Sequence, residues 1–428
     1  MNGANEGDTR PLSLEGIRVA DFSWIVAGPQ ATRILADFGA EVIRVENESH
    51  IDSARLGSSM DRLPANPSYN TRPLFNNLNR NKLGITANLN HPEGREVVER
   101  LLRVSDIVVE NFSAGVFKRL GFGWEELKQL NPRIISMSLS GFGQTGRDAS
   151  YITWGPVAAA VSGLTYMSGL PDQPPAGWGY SYLDHTAGYY GALAALMALH
   201  ERERTGEGQY IDISQIETGM VLAGVPMLDY QVNGREYERV GNHSRWPAVA
   251  PHNTYRCRDD VDGPSAGSGQ AADRWIAIVA ETEAQWLALC DVLGLRDLLD
   301  DARFATNLAR VEHQDALDAM IEAKTRAHDT RELMYLLQAR GVSAGTAQTT
   351  RDKLEHDPQH AFRGFYPTAE HPELGSHRFE GFPARFSNAR WQVRKASPRL
   401  GEDTLDVLTR LLGYTEDEVA ALIAEAAV

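Results

Sequence analysis

Cysteine is almost absent from this chain of 428 residues. Only Cys257 and Cys290 occur, too few for a disulfide framework or a cysteine-based metal cluster, and a reducing cytoplasm is the expected compartment. No stretch approaches the ~20 uninterrupted apolar residues that a membrane span needs, so no membrane partner is expected. The N-terminus, Met1-Asn-Gly-Ala-Asn-Glu-Gly-Asp-Thr-Arg10, lacks both the basic and the apolar region of a secretion signal and predicts a short disordered lead-in. Basic charge is in deficit as well. The 42 Lys and Arg against 57 Asp and Glu leave a net charge of −15, which argues against nonspecific nucleic-acid binding. A small anionic ligand stays open, because a few local cations and backbone N–H groups are sufficient. The 12 histidines are scattered, without HExxH or paired Cys/His spacing, so no metal site is expected. No internal repeat of roughly 20 to 50 residues is present.

What remains is the composition of a soluble globular protein: 42% hydrophobic, 23% charged, mean hydropathy −0.35. The length predicts two or three domains. A short apolar strand over Ile17–Phe22, a turn at Ala27-Gly28-Pro29, a helix over Gln30–Phe38 closed by Gly39, and a strand over Glu41–Glu46 form one βαβ unit. The alternation continues with a helix from Pro92 to Arg103 and a strand at Asp106–Glu110. A helix over Trp124–Leu130 and a strand over Arg133–Leu139 follow. Such alternation predicts an α/β fold with a doubly wound, Rossmann-like parallel sheet. The expected division is a large α/β domain over 12–224 and a smaller α+β domain over 225–345. A segment over 346–428 then returns to the large domain. A polar Gly/Ser/Asp insertion at 259–273 interrupts the small domain.

Two motifs mislead. Gly141-Phe-Gly-Gln-Thr-Gly146 matches GxGxxG, but Arg147–Trp154 has no helical periodicity to receive a pyrophosphate, which disfavours dinucleotide binding. Gly263-Pro-Ser-Ala-Gly267 matches GxSxG inside the polar insertion, with no helix after it to expose the serine. Cys257 and Cys290 sit in or beside strand and helix patterns, where a buried, inert thiol is the usual outcome. Arg80 and Lys82 in Asn79-Arg-Asn-Lys82, and Arg119, flank predicted strand ends. They read equally as ligand contacts or as solvated surface charges.

The stretch Gly177-Trp-Gly-Tyr-Ser-Tyr-Leu-Asp-His-Thr-Ala-Gly-Tyr-Tyr-Gly191 carries the most chemistry. Asp184 ends a polar, Gly- and Tyr-rich segment ahead of a run of helix formers, Ala192–Glu203. Helix grammar makes it an N-cap. The same position suits a carboxylate nucleophile held at a helix N-terminus.

The ordered stretches Leu14–Phe22, Ala27-Gly-Pro29, Leu35–Glu46, Asn79-Arg-Asn-Lys82, Val109-Glu-Asn-Phe112, Leu130-Asn-Pro-Arg133, Ser140-Gly-Phe-Gly143, Arg204–Gln209, Asp212-Ile-Ser214 and Pro398–Glu402 together resemble the class III CoA-transferases. That family also includes formyl-CoA transferase, carnitine CoA-transferase and α-methylacyl-CoA racemase. The resemblance runs from about residue 12 to 413 and implies an interlocked homodimer, with a heteromer with a paralogous subunit as the other arrangement. It implies coenzyme A or acyl-CoA as substrate, with no permanently bound cofactor. Asp184 would be the nucleophile that forms an aspartyl-CoA thioester, with succinyl-CoA a candidate donor. By the resemblance, Trp24, Ile25, Val26 and Ala27 match the turn that meets the adenine end of CoA, Asn111 and Phe112 the strand-end contacts that follow, Arg119 and Leu120 the pair that embraces the nucleotide, and Asn79, Arg80 and Lys82 a further group of CoA contacts.

Departures from the family bear on the substrate. Val26 stands where formyl-CoA transferase has glutamine, and its glycine-rich flap is missing from 240–275. Trp154 stands where the racemases have histidine, which removes a second acid/base. His185 adjoins Asp184, but helix neighbours project in different directions. The lead-in to Asp184, with Trp154, Tyr182, Tyr189 and Tyr190, resembles the branch of benzylsuccinate and aryl-acid CoA-transferases and implies an aromatic wall for a larger acid. The alternatives are a racemase or isomerase on the same fold, and a non-catalytic CoA-binding subunit.

Overall fold

The computed structural model describes residues 9–57, 68–260 and 272–428. Residues 1–8 of the N-terminal lead-in and the GxSxG match at Gly263–Gly267 lie outside the described residues. The described chain divides into two compact units. One comprises residues up to Ser168, Pro175–Tyr237 and Pro358–Val428; the other comprises Gly169–Pro174 and Glu238–Asp357.

The first unit is built on six parallel strands: β1 (Arg18–Asp21), β2 (Glu41–Glu46), β3 (Leu83–Thr86), β4 (Ile107–Glu110), β5 (Ile135–Ser140) and β6 (Tyr210–Ser214). Their order is β3-β2-β1-β4-β5-β6, every pairing parallel. The chain therefore reverses its winding between β1 and β4. Ligands of open α/β sheets bind at that switch point, beyond the carboxyl ends of the strands.

Helix α1 (Ala27–Asp37) and helix α2 (Pro92–Arg103) follow β1 and β3. α2 starts with Pro92 at its first position and His91 Nδ1 accepting the Glu93 N–H. It buries Val97, Val98, Leu101 and Leu102, each worth about 1.5–3 kcal/mol of burial. The short α3 (Val116–Arg119) and α4 (Trp124–Leu130) lead to β5. After β5 come α5 (Gly155–Val161), the 24-residue α6 (Tyr182–Thr205), and then, beyond β6, α7 (Gln215–Leu222) and α8 (Gly224–Asn233).

Two boundaries differ from the sequence reading. Ala27-Gly28-Pro29 is the first turn of α1 and not a turn before it, since the fixed φ of proline suits a first helical turn. α6 begins ten residues before Ala192, and Asp184 is its third residue, with Ser181 as the N-cap. The glycines that made this stretch read as loop serve packing instead. A Cβ at Gly188 would lie 2.5 Å from Gln30 Cγ and 2.9 Å from the Ala27 carbonyl oxygen, so only glycine lets α6 approach α1 this closely.

The second unit holds an antiparallel sheet of β7 (His252–Arg256), β8 (Trp275–Val279) and β9 (Ser343–Thr346). Helices α9 (Glu283–Leu293), α10 (Gln314–Thr325) and α11 (Thr330–Gln338) share its core, which includes Trp286, Leu289, Leu317 and Leu333. Cys257 and Cys290 are buried there, and burial pushes their thiols up to about 11 and about 12. Neither is a nucleophile at neutral pH. Among the described residues no helix is long and apolar enough to cross a membrane, and no cluster of His, Cys, Asp and Glu could hold a metal ion.

Candidate active site

Just past β1 the chain makes a tight turn, Ser23–Val26. Ile25 adopts φ 62°, a conformation that a β-branched residue rarely takes. Its neighbours hold it there. Asn111, just beyond β4, accepts from Trp24 N at 2.6 Å and donates to Trp24 O at 2.9 Å, while the Asp52 carboxylate accepts from Ile25 N at 3.2 Å. Glu110 fixes the next residue by accepting from Phe112 N at 2.8 Å, and burial raises its carboxyl to about 7. α1 then opens without a side-chain cap, which leaves first-turn N–H groups available at the turn.

The turn and the end of β4 form one wall of a cleft of about 270 Å3. Its other walls come from Gly141, the segment Tyr151–Gly155, Asp184 and Gln215. Asp184 lies in the first turn of α6, and its carboxylate neighbours Gly155 and Gln215, the first residues of α5 and α7. Gln215 Nε2 donates to Asp184 Oδ1 at 2.8 Å, and the Ser181 hydroxyl is a second hydrogen-bond partner. A Cβ at Gly155 would lie 2.7 Å from Asp184 Oδ2, so the missing side chain makes room for the carboxylate. Burial raises the Asp184 carboxyl to about 6, against the opposing effect of the Ser181 and Gln215 hydrogen bonds. The group remains mostly ionised at pH 7, yet is more basic than an ordinary carboxylate. A nucleophile benefits from that combination.

Trp24 and Phe112 also border a second recess of about 250 Å3, lined further by Phe22, Val45, Leu89 and Leu120 over the ends of β1, β2 and β4. Arg119 is exposed on α3, next to this recess residue Leu120. The structure thus brings together Trp24, Ile25, Val26, Ala27, Asn111, Phe112, Trp154 and Asp184, with Leu120 and Arg119 alongside.

Other predicted residues fall elsewhere. Asn79, Arg80 and Lys82 are buried and line neither recess. In place of the ligand contacts that the resemblance implies, or of solvated charges for Arg80 and Lys82, the structure makes them internal partners. Arg80 pairs with Asp37 at 2.6 Å, and Lys82 with Asp21 at 2.9 Å and with Asn79 Oδ1 at 2.8 Å. Burial lowers the Lys82 ammonium to about 8 despite Asp21. Tyr182 and Tyr189 do not line the Asp184 cleft either. They lie two and five residues from Asp184 on one helix, rotated well away from it. Tyr182 packs edge-on to Trp178 at 4.5 Å in a separate aromatic cavity of about 330 Å3, and Tyr189 is exposed. His185 also turns away: it stacks on Tyr180, its Nδ1 lies 3.2 Å from Gln30 Oε1, and burial, with Arg33 nearby, lowers it to about 4.

Gln215, Gly155, Tyr151 and Ile152 were not singled out from sequence. Gln215 carried a usable signal, because it directly follows a parallel strand whose carboxyl end faces the switch-point side of the sheet.

The sequence profile of CoA-transferase family III matches residues 14–404. A succinyl-CoA–D-citramalate CoA-transferase of Chloroflexus aurantiacus is 37% identical over 416 residues, covering 97% of this chain and 98% of its own. A succinate–glutarate CoA-transferase of Agrobacterium fabrum is 31% identical over 402 residues, covering 94% of this chain and 96% of its own. Among solved structures, a CAIB/BAIF family protein from Brucella suis superposes with a TM-score of 0.82 at 31% identity, covering 94% of this chain and 100% of that one.

Proposed function

The chain belongs to CoA-transferase family III, and from that premise we propose that it moves CoA from a donor of the succinyl-CoA class to a larger carboxylic acid through an aspartyl-CoA thioester on Asp184. The observation that carries this reading is the cleft at the switch point. Among the described residues Asp184 is the single carboxylate that lines it, and no Lys, Arg or His does. The carboxylate attacks the donor thioester, giving a mixed anhydride and a CoA thiolate. The thiolate then adds to the aspartyl carbonyl and expels the donor acid. The acceptor carboxylate reverses both steps. Exchange of one thioester for another is nearly isoenergetic, so the cycle needs no ATP. The nucleotide end of CoA is assigned to the recess beside Trp24, Phe112 and Leu120, with the exposed Arg119 next to it and the uncapped start of α1 on the adjoining cleft as donors for its phosphates.

The acceptor end is framed by Trp154, Tyr151 and Ile152, an apolar wall suited to an aryl or branched acid. The two relatives are named for succinyl-CoA or succinate with D-citramalate or glutarate, and a second acceptor carboxylate would find no cation among the described residues that line this cleft. A racemase would need a second acid/base, and both Trp154 and the direction of His185 oppose that. The test is a transfer assay with succinyl-CoA and a panel of acids. Aryl and branched monocarboxylates are expected to be faster acceptors than glutarate or citramalate, with Trp154→Ala raising KM for the acid several-fold. Transfer confined to short dicarboxylates would sink the substrate assignment.

An obligate homodimer belongs to the same reading. α8 has no buried residue, and Val225, Leu228, Tyr230 and Val232 on it are all more than half exposed. A soluble chain rarely leaves such an apolar helix bare. Light scattering on the purified chain is expected to give twice its 47.2 kDa mass, together with activity. A monomer, or an inactive chain that gains activity only with a second gene product, would overturn this part.

A further inference from the structure

In the proposed cycle Asp184 bears charge twice: as the attacking carboxylate and, once acylated, as the oxyanion formed when the CoA thiolate adds to its Cγ. Building on that reading of Asp184, we infer that the side-chain amide of Gln215 is a catalytic residue that donates to Asp184 Oδ1 and stabilises this aspartyl oxyanion.

The two carboxylate oxygens are already distinguished. Oδ1 accepts from Gln215 Nε2 at 2.8 Å, whereas Oδ2 lies beside Gly155, the residue without a side chain. Oδ2 is therefore the oxygen that bonds to the donor acyl carbon, with CoA leaving as thiolate. Oδ1 remains as the carbonyl oxygen of the anhydride. When the thiolate sulfur bonds to Cγ, the C=O electron pair moves onto Oδ1. When the tetrahedral centre collapses, the pair re-forms the carbonyl and the Oδ2–Cγ bond breaks, releasing the donor carboxylate. The Gln215 N–H is in place for the whole sequence and needs no reorganisation, the condition under which such donors are most effective.

Placement of the amide is rigid. Gln215 is the first residue of α7 and only 7% exposed. Its carbonyl accepts from Thr218 Oγ1 at 2.7 Å, and the flanking Ser214 Oγ and Ile216 N both donate to Gly141 O at 3.1 Å. The fold thus anchors the backbone of this residue, while the amide end reaches the cleft. A neutral donor also suits the chemistry. A Lys or Arg in its place would hold the carboxylate as a tight ion pair and blunt its attack, whereas an amide leaves it basic.

The test uses Gln215→Leu, close in shape but unable to donate, and Gln215→Glu, which cannot donate when ionised. Both are expected to lower kcat roughly 10²–10³-fold with KM for the acyl-CoA and Tm near wild type. The acid limb of kcat/KM should move to higher pH in Gln215→Leu, because a hydrogen bond favouring the charged carboxylate is gone. Intact-protein mass spectrometry in a single turnover should show the CoA adduct on wild-type Asp184 forming and discharging more slowly in both variants. If wild type forms no adduct at Asp184, the nucleophile assignment fails and this inference with it. If wild type forms it and the variants form and discharge it at the same rate, only the role of Gln215 fails. Slow turnover accompanied by a lowered Tm and a raised KM would reduce Gln215 to a packing residue and also overturn it.

Discussion

Asp184→Ala is expected to lose transfer activity by roughly 10⁴-fold or more, the scale seen when a covalent nucleophile is removed, while binding of CoA changes little. The recess proposed for the nucleotide is lined by Trp24, Phe112 and Leu120, none of which depends on the carboxylate. Loss of activity could also come from unfolding, and the burial of Asp184 supplies the control. Burial raises its carboxyl from 3.8 to about 6, so the ionised group is less comfortable in the folded protein than in the unfolded chain. A raised carboxylate pKa means that stability falls as pH rises from about 4 through about 6, and the deficit persists above that. A shift of that size corresponds to at most about 3 kcal/mol. Asp184→Asn should therefore melt several °C higher than wild type at pH 7.5 and at the same temperature near pH 3.5, while being inactive. Below about pH 6 the wild-type kcat/KM should decline tenfold per pH unit as the carboxylate protonates. Substantial turnover in Asp184→Ala, or an acid limb near pH 4, would remove Asp184 from the chemistry.

The parallel sheet was legible because short, largely apolar strand patterns alternate with helical ones, and the strands at Glu41–Glu46 and Ile107–Glu110 fall where that alternation predicted them. The start of α6 was not. Gly188 and Gly191 read locally as loop, and only the close packing of α6 on α1 explains them, a contact between segments more than 150 residues apart. Within the cleft, Trp24–Ala27, Asn111 and Phe112 were legible only through the resemblance to the class III CoA-transferases. Gln215 and Gly155 were not: the place of Gln215 after a strand was the one signal available, and a glycine shows its role only when a carboxylate is seen beside it. The basic run Asn79–Lys82 was the least readable part. An Arg or Lys near a strand end looks the same in sequence whether it meets a phosphate or a buried aspartate.

Those buried charges set up the second large effect. Arg44→Met is expected to destabilise the protein by roughly 3–5 kcal/mol, the scale for breaking a buried ion pair from one side. Arg44 is fully buried on β2. Its Nη2 donates to Asp52 at 2.5 Å, its Nη1 to the Ser23 carbonyl at 2.6 Å, and its Nε lies 3.5 Å from Glu46. Methionine would fill much of the space but leave Asp52 buried without a cation. Glu46 would keep Arg55, which binds it through two hydrogen bonds of 2.8 and 2.9 Å. Asp52 is also the group that accepts from Ile25 N, so the damage should travel to the strained turn at the cleft. The expected result is a Tm lower by several °C together with a KM for acyl-CoA raised more than kcat is lowered, because in the proposed cycle the turn binds CoA and does not react. Removing Asp52 as well, in Arg44→Met/Asp52→Leu, should recover part of the lost Tm by eliminating the orphaned charge. It should not recover KM, since Ile25 N would still lack its acceptor. A double variant that restores both would mean that Arg44 and Asp52 stabilise the sheet alone and that the turn holds its conformation unaided.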